Sequence, residues 1–223
     1  MLAVAALLPV PPGYCLRRLL LILLLVLAYL GPAAAANKSH TLLVLGDSLS
    51  AAYGLPIEQG WVGLLSDRLL AEKSPWRVVN ASISGETTAG GRARIDDALR
   101  VQRPSLVIIE LGANDGLRGL SLDLMQRNLE YMILASRRAG ARVLLIGMRI
   151  PPNYGPDYSN GFSAVYTELA RKYQLPLLPF LLAPISADRS NFQDDNLHPT
   201  AAAQIKLLAH VWTALAPLLA APQ

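Results

Sequence analysis

Four short stretches of this chain carry residue types that could act together on a carbonyl carbon. In the first, Gly46-Asp47-Ser48-Leu49-Ser50, an apolar run (Leu42 to Leu45) stops at a glycine and a serine follows. The second is Asn80-Ala81-Ser82-Ile83-Ser84-Gly85, the third Gly112-Ala113-Asn114-Asp115, and the fourth Asp194-Asp195-Asn196-Leu197-His198-Pro199. A serine hydroxyl attacks an acyl carbon only when a base removes its proton, and an imidazole takes and returns a proton near neutral pH. A carboxylate that fixes the imidazole tautomer completes the set. Asp195 and His198, three apart, can meet on one turn, and Asp194 lies four before His198 as a second carboxylate. The oxyanion formed on attack needs donors, for which the N–H of Ser48, the N–H of Gly85 and the side-chain amide of Asn114 are candidates. The chemistry of this set is acyl transfer. Ser48 taken alone reads as a helix N-cap, and it is the partners further along the chain that overturn that reading.

These residues must be brought together by the elements between them. Strand-like and helix-like segments alternate from Thr41 onward. Leu42 to Leu45 has the unbroken apolar character of a buried parallel strand. Trp61, Leu64, Leu65 and Leu69 recur at helical spacing. A short strand is expected over Arg77–Asn80, and a helix after Ser84–Thr88 through Leu99. Ser105–Leu111 reads as the third strand with Gly112–Gly116 as its exit loop, then a helix over Leu122–Ala139 stopped by Gly140. Val143–Gly147 is the fourth strand, running into a proline-broken loop, Met148–Gly155. A helix over Phe162–Tyr173 and a short strand over Leu175–Leu178 follow. Pro199 opens a last helix with the stripe Ile205, Leu208, Trp212 and Leu215. This alternation predicts an α/β fold, flavodoxin-like, with about five parallel strands and helices on both faces. The first strand then sits centrally at a switch point, and all four stretches open on one edge.

With the four stretches in order at the ends of successive elements, the chain resembles the SGNH (GDSL) hydrolase family, in particular its exported thioesterase I/lysophospholipase L1/arylesterase group. The resemblance spans about Thr41 to the last helix. It implies that Ser48 is the nucleophile, that Ser48, Gly85 and Asn114 form the oxyanion hole, and that Asp195 and His198 complete the triad. It further implies a shallow, mobile site with no metal or organic cofactor. The loop after Asn114 and the Met148–Tyr154 loop would border the acyl groove, which makes Leu117, Ile150, Pro152 and Tyr154 candidate substrate contacts. The expected substrates are single-chain acyl esters and thioesters, with O-acetyl groups on cell-envelope polysaccharide as the alternative. A flavodoxin-like ligand-binding module is the alternative from another class, although binding alone does not require Ser48, His198 and Asn114 together. Two departures stand out: Ala113 where a second glycine is expected, and Asn196 where glycine is common.

Of the remaining polar residues, Asp47 and Asp115 read as loop braces, and Glu110, within an apolar strand, is either paired or emerges at the strand end. His40 and His210, the other two of three histidines, read as solvated, and Trp61 and Trp212 as core. The loop Ser84–Thr88 lacks the Gly-Lys-Ser/Thr ending of a phosphate-binding loop.

Hydrophobic residues make up 52% of the 223, with the surplus at the start. Arg17-Arg18, the apolar run Leu19 to Leu30, Gly31-Pro32 and the alanines to Ala36 form a secretory signal sequence with cleavage expected after Ala36. Residues 37–223 are then one exported domain, periplasmic or secreted, and a retained membrane anchor is the alternative. Met1–Tyr14, apolar and proline-bearing, fits no standard n-region. Cys15, the only cysteine, lies before the apolar run, so the mature chain has no disulfide, thiolate nucleophile or cysteine metal site. Losing the two arginines lowers the formal charge from +4 to +2. With no basic cluster interleaved with aromatics, nucleic acid is not an expected partner, and small acyl esters and a monomeric state are.

Overall fold

The computed structural model describes residues 39–221, and the proposed signal segment lies outside them. Five strands form one parallel sheet: β1 (His40–Gly46), β2 (Trp76–Asn80), β3 (Leu106–Glu110), β4 (Arg142–Ile146) and β5 (Leu177–Leu178). Their spatial order, β2-β1-β3-β4-β5, is the flavodoxin-like one. Leu42 through Leu45 are fully buried, as are Leu106 through Ile109. That burial on both faces is why these strands read as continuous apolar runs.

The helices are α1 (Trp61–Ala71), α2 (Thr88–Gln102), α3 (Ala113–Leu117), α4 (Leu122–Arg138), α5 (Pro156–Tyr173) and α6 (Ala201–Ala220). From β1 the chain steps outward to β2 and then crosses back to β3. Right-handed crossovers in opposite directions put α1 on one face and α2, α4 and α5 on the other. Consistent with this, α1 packs on α6, α2 on α4 and α4 on α5. The Gly60 N-cap of α1 has no side chain to offer, and buried Gln204 of α6 supplies the acceptor, Oε1 taking the Trp61 N–H at 2.9 Å. Thr87 and Ser121 cap α2 and α4 with their own hydroxyls.

Several expectations are corrected. The buried face of α6 is Ala203, Leu207, Val211 and Leu215, while Ile205 is 64% exposed and Leu208 and Trp212 are only partly covered. The helix is apolar nearly all round, so its sequence did not define its phase. α6 begins at Ala201 after Thr200 rather than at Pro199. Gly112–Gly116 is not a plain loop, because α3 forms one turn within it. α5 starts six residues before Phe162, at Pro156, whose ring suits a first helical position. β5 shrinks to Leu177–Leu178, since Pro176 has no N–H for the ladder. His40 and His210 are half-buried: the His40 ring lies 5.1 Å from that of Trp76, and His210 Nε2 is 3.0 Å from the Phe180 carbonyl oxygen.

Candidate active site

β1 ends at Gly46 because nothing larger fits. A Cβ there would lie 2.8 Å from the Ser50 side chain and 2.9 Å from Glu110 Oε2. Asp47 follows, fully buried, and the chain turns. Asp47 Oδ1 accepts from Leu49 N–H at 3.0 Å, and Asn80 at the end of β2 donates to Ser50 O at 2.8 Å. This bracing holds Ser48 half-exposed just past the strand end. Ser48 caps no helix: its Oγ is 2.9 Å from His198 Nε2.

The histidine is set by its own loop. Asp195 Oδ1 accepts from the N–H groups of Leu197 (2.9 Å) and His198 (3.0 Å), while Oδ2 lies 2.6 Å from His198 Nδ1. The His198 N–H and ring and the Leu197 N–H hold the Asp195 carboxyl down to about 2. Asp194 instead uses its carbonyl oxygen, which accepts from Arg189 and Asn196. Between Asp195 and His198, Asn196 adopts φ +59°. That left-handed shape explains why glycine suits this position, and asparagine is one of the few other residues that tolerate it.

The second and third stretches close on the same point. Gly85 is left-handed, with φ +79°, an uncosted shape for glycine. Asn114, in the first turn of α3, donates from Nδ2 to Asp47 Oδ2 (3.2 Å) and to Glu86 O (3.0 Å), so its amide bridges the first two loops. Ala113 is helical and buried and creates no strain. Asp115 is a brace, its carboxylate accepting from Thr88 N–H at 2.8 Å and Thr88 Oγ1 at 2.6 Å. Gly112 (φ +119°) leaves room for Met125, whose Cε would sit 2.8 Å from a Cβ.

Beneath the turn that carries Ser48 lies an acid that the sequence left open. Glu110 is fully buried; its Oε2 accepts from the Ser50 hydroxyl at 2.7 Å, and its Oε1 has no partner among the described residues. Burial, then the adjacent Asp47 charge, raises the Glu110 carboxyl well above the usual carboxylate range. Burial likewise pushes Asp47 up to about 7, against the Leu49 N–H and the Asn114 amide.

From Ser48 a cavity of about 400 Å³ runs out, lined by Leu49, Leu117, Met148, Ile150, Pro151, Pro152, Phe180, Leu182, Phe192 and Leu197, with Arg149, Ser186 and Asn196 among its polar groups. Leu117, Ile150 and Pro152 thus border it. Tyr154 does not; its hydroxyl donates to Leu117 O at 2.8 Å and ties the two bordering loops together.

Residues 44–204 match the model of the GDSL-like lipase/acylhydrolase family. The chain belongs to this family. It is an ester-hydrolysing enzyme. It is 50% identical to esterase TesA of Pseudomonas aeruginosa over 204 residues, covering 92% of this chain and all of that one. It is 42% identical to thioesterase 1/protease 1/lysophospholipase L1 of Escherichia coli K12 over 172 residues, 77% of this chain and 80% of the relative. A crystal structure of TesA superimposes with a TM-score of 0.78 at 51% identity, over 80% of this chain and 99% of that one.

Two side chains of this GDSL-type site escaped the sequence reading. The Tyr53 ring lies against His198, centroids 4.2 Å apart, and Gln193 links their two loops. Their proximity to Ser48 and Asp195 in sequence was the only signal, and it does not distinguish them from any other loop residue.

Proposed function

We propose that the enzyme hydrolyses single-chain acyl esters and thioesters through an acyl-enzyme on Ser48. The observation that carries this reading is the continuous relay from Ser48 Oγ to His198 Nε2 (2.9 Å) and from His198 Nδ1 to Asp195 (2.6 Å). His198 takes the Ser48 proton as Oγ attacks the acyl carbon, and Asp195 holds the ring and balances the imidazolium. The N–H groups of Ser48 and Gly85 and the amide of Asn114 receive the oxyanion. His198 then returns the proton to the leaving alcohol or thiol, and water repeats the sequence to release the acid. The cavity beside Ser48 is mostly apolar and takes the acyl chain, which favours chains longer than acetyl over O-acetyl groups on polysaccharide. Leu117, Ile150 and Pro152 contact the chain, and Tyr154 acts on it through Leu117.

Residues 1–36 serve as an export signal, removed to leave a single domain, residues 37–223, in the periplasm or outside the cell. The mature enzyme works as a monomer without cofactor. The described residues, 39–221, form one compact unit, which supports reading them as a single domain.

The test is an activity series on p-nitrophenyl esters of increasing chain length, with a fluorophosphonate label and mass spectrometry. Activity rising beyond acetyl and label on Ser48 are expected, with Ser48→Ala folded and inactive. Label on another serine overturns the assignment.

A further inference from the structure

The loop that carries His198 is closed on itself. Phe192 and Pro199 form an antiparallel bridge, the Gln193 N–H donates to His198 O at 2.8 Å, and the Asn196 N–H donates to Gln193 O at 3.0 Å. None of these bonds reaches the nucleophile turn, yet Ser48 and His198 meet at 2.9 Å across a sequence separation of 150 residues. Something between the loops must set that alignment.

Gln193 spans the gap. Its Nε2 donates to the carbonyl oxygen of Tyr53, in the nucleophile turn, at 2.8 Å, and to that of Pro199, beside the histidine, at 3.0 Å. Both amide hydrogens are therefore committed, one to each loop. On the other side, the Tyr53 N–H donates to the carbonyl of Ser48 itself at 3.2 Å. Gly54 (φ +75°) is bare because the Gln193 amide occupies the place where its Cβ would project. The Tyr53 ring then covers one flank of the imidazole, with centroids 4.2 Å apart and planes inclined by 32°. That ring is half-exposed, and its hydroxyl has no hydrogen-bond partner among the described residues. The aromatic face, not the phenol, is what meets His198.

We propose that Gln193 and Tyr53 are positioning residues for the Ser48–His198 pair: Gln193 fixes the two loops in register, and the Tyr53 ring holds the imidazole plane and favours the imidazolium formed when Ser48 gives up its proton. An aromatic face attracts a cation within about 6 Å of its centroid, so the contact strengthens as the proton moves. An interaction stronger in the transition state than in the resting enzyme raises kcat rather than lowering KM. The proposal rests on the assignment of Ser48 and His198 made above.

The experiment compares Tyr53→Phe, Tyr53→Leu, Gln193→Leu and Ser48→Ala on one p-nitrophenyl ester, with thermal melting and the far-downfield proton resonance of the His198–Asp195 hydrogen bond as controls. Tyr53→Phe should stay within about twofold of the parent, because it keeps the face. Tyr53→Leu should lose about two- to fivefold in kcat at unchanged KM, the equivalent of an exposed cation–aromatic contact. Gln193→Leu should lose about ten- to a hundredfold in kcat, as small misalignments do, and should broaden or shift the downfield resonance. If Tyr53→Leu equals Tyr53→Phe, or if folded Gln193→Leu keeps its kcat and resonance, the proposal fails. Tyr53→Leu changes a half-exposed side chain, so it remains decisive even if Gln193→Leu does not fold. An active Ser48→Ala would instead overturn the nucleophile assignment, a distinct outcome.

Discussion

Asp47 and Glu110, both fully buried, share the floor of the site, and their protonation has a measurable sign. Asp47 is shifted up from 3.8 to about 7. Between those values the folded protein keeps a proton that the unfolded chain has released, so stability falls as pH rises through that window. Glu110, raised in the same direction by burial and by the Asp47 charge, adds to the fall. Urea midpoints measured from pH 4 to pH 7 should therefore decline, and Glu110→Gln should make the decline shallower. Asp195 has the opposite sign: its contribution is present above 3.8 and is lost as pH falls through about 2. Asp195→Ala should accordingly cost most of the activity at neutral pH, while Asp194→Ala, whose carboxylate does not meet His198, stays within a few-fold. Asn114 presents a different case. Both hydrogens of its amide are engaged at rest, and the longer bond, 3.2 Å to Asp47, is the one an oxyanion can displace. Asn114→Ala should lower kcat by roughly 100- to 1000-fold with little change in KM, which steady-state kinetics on a folded variant will check.

At the scale of the element, the turn after β1 depends on one absent methyl group. Gly46→Ala would place a Cβ at 2.8–2.9 Å from Ser50 and Glu110, and overpacking of this kind costs about 1–3 kcal/mol. The urea midpoint and the activity should fall together, since the same atoms brace Ser48. The strands were legible because a parallel sheet buried on both faces demands unbroken apolar runs, as Leu42–Leu45 and Leu106–Ile109 provide. The phase of α6 was not, because Ile205, Leu208 and Trp212 are as apolar as the residues that face inward. α3 was hidden because Gly, Asn and Asp are weak helix formers, and its turn is held by contacts from Thr88 and Glu86. The four stretches were legible because nucleophile, donor and acid–base types rarely fall together at strand ends. Tyr53 and Gln193 were not, because what they contribute is a carbonyl, an amide and a ring face whose partners only folding brings near.

In the whole molecule the sheet has two poles. All the site loops leave from the carboxyl ends of the strands, while His40 opens β1 at the other end. α6 starts beside the His198 loop and runs the length of the sheet, so that Leu219 O near its end accepts from Trp76 Nε1 at 3.2 Å. Trp76 also lies against His40. Protein beginning at Asn37 contains every element of the sheet and should fold and keep full esterase activity, measured against the longer chain. The shared contact with Trp76 has a further consequence. The beginning of β1 and the end of α6 are neighbours, on the side away from the cavity, so a short glycine-rich linker could splice them and the chain could be reopened elsewhere. A circular permutant opened at the exposed Gly140 turn should keep the cavity beside Ser48 intact, and a carrier or surface joined ahead of β1 or after α6 would leave that cavity facing outward.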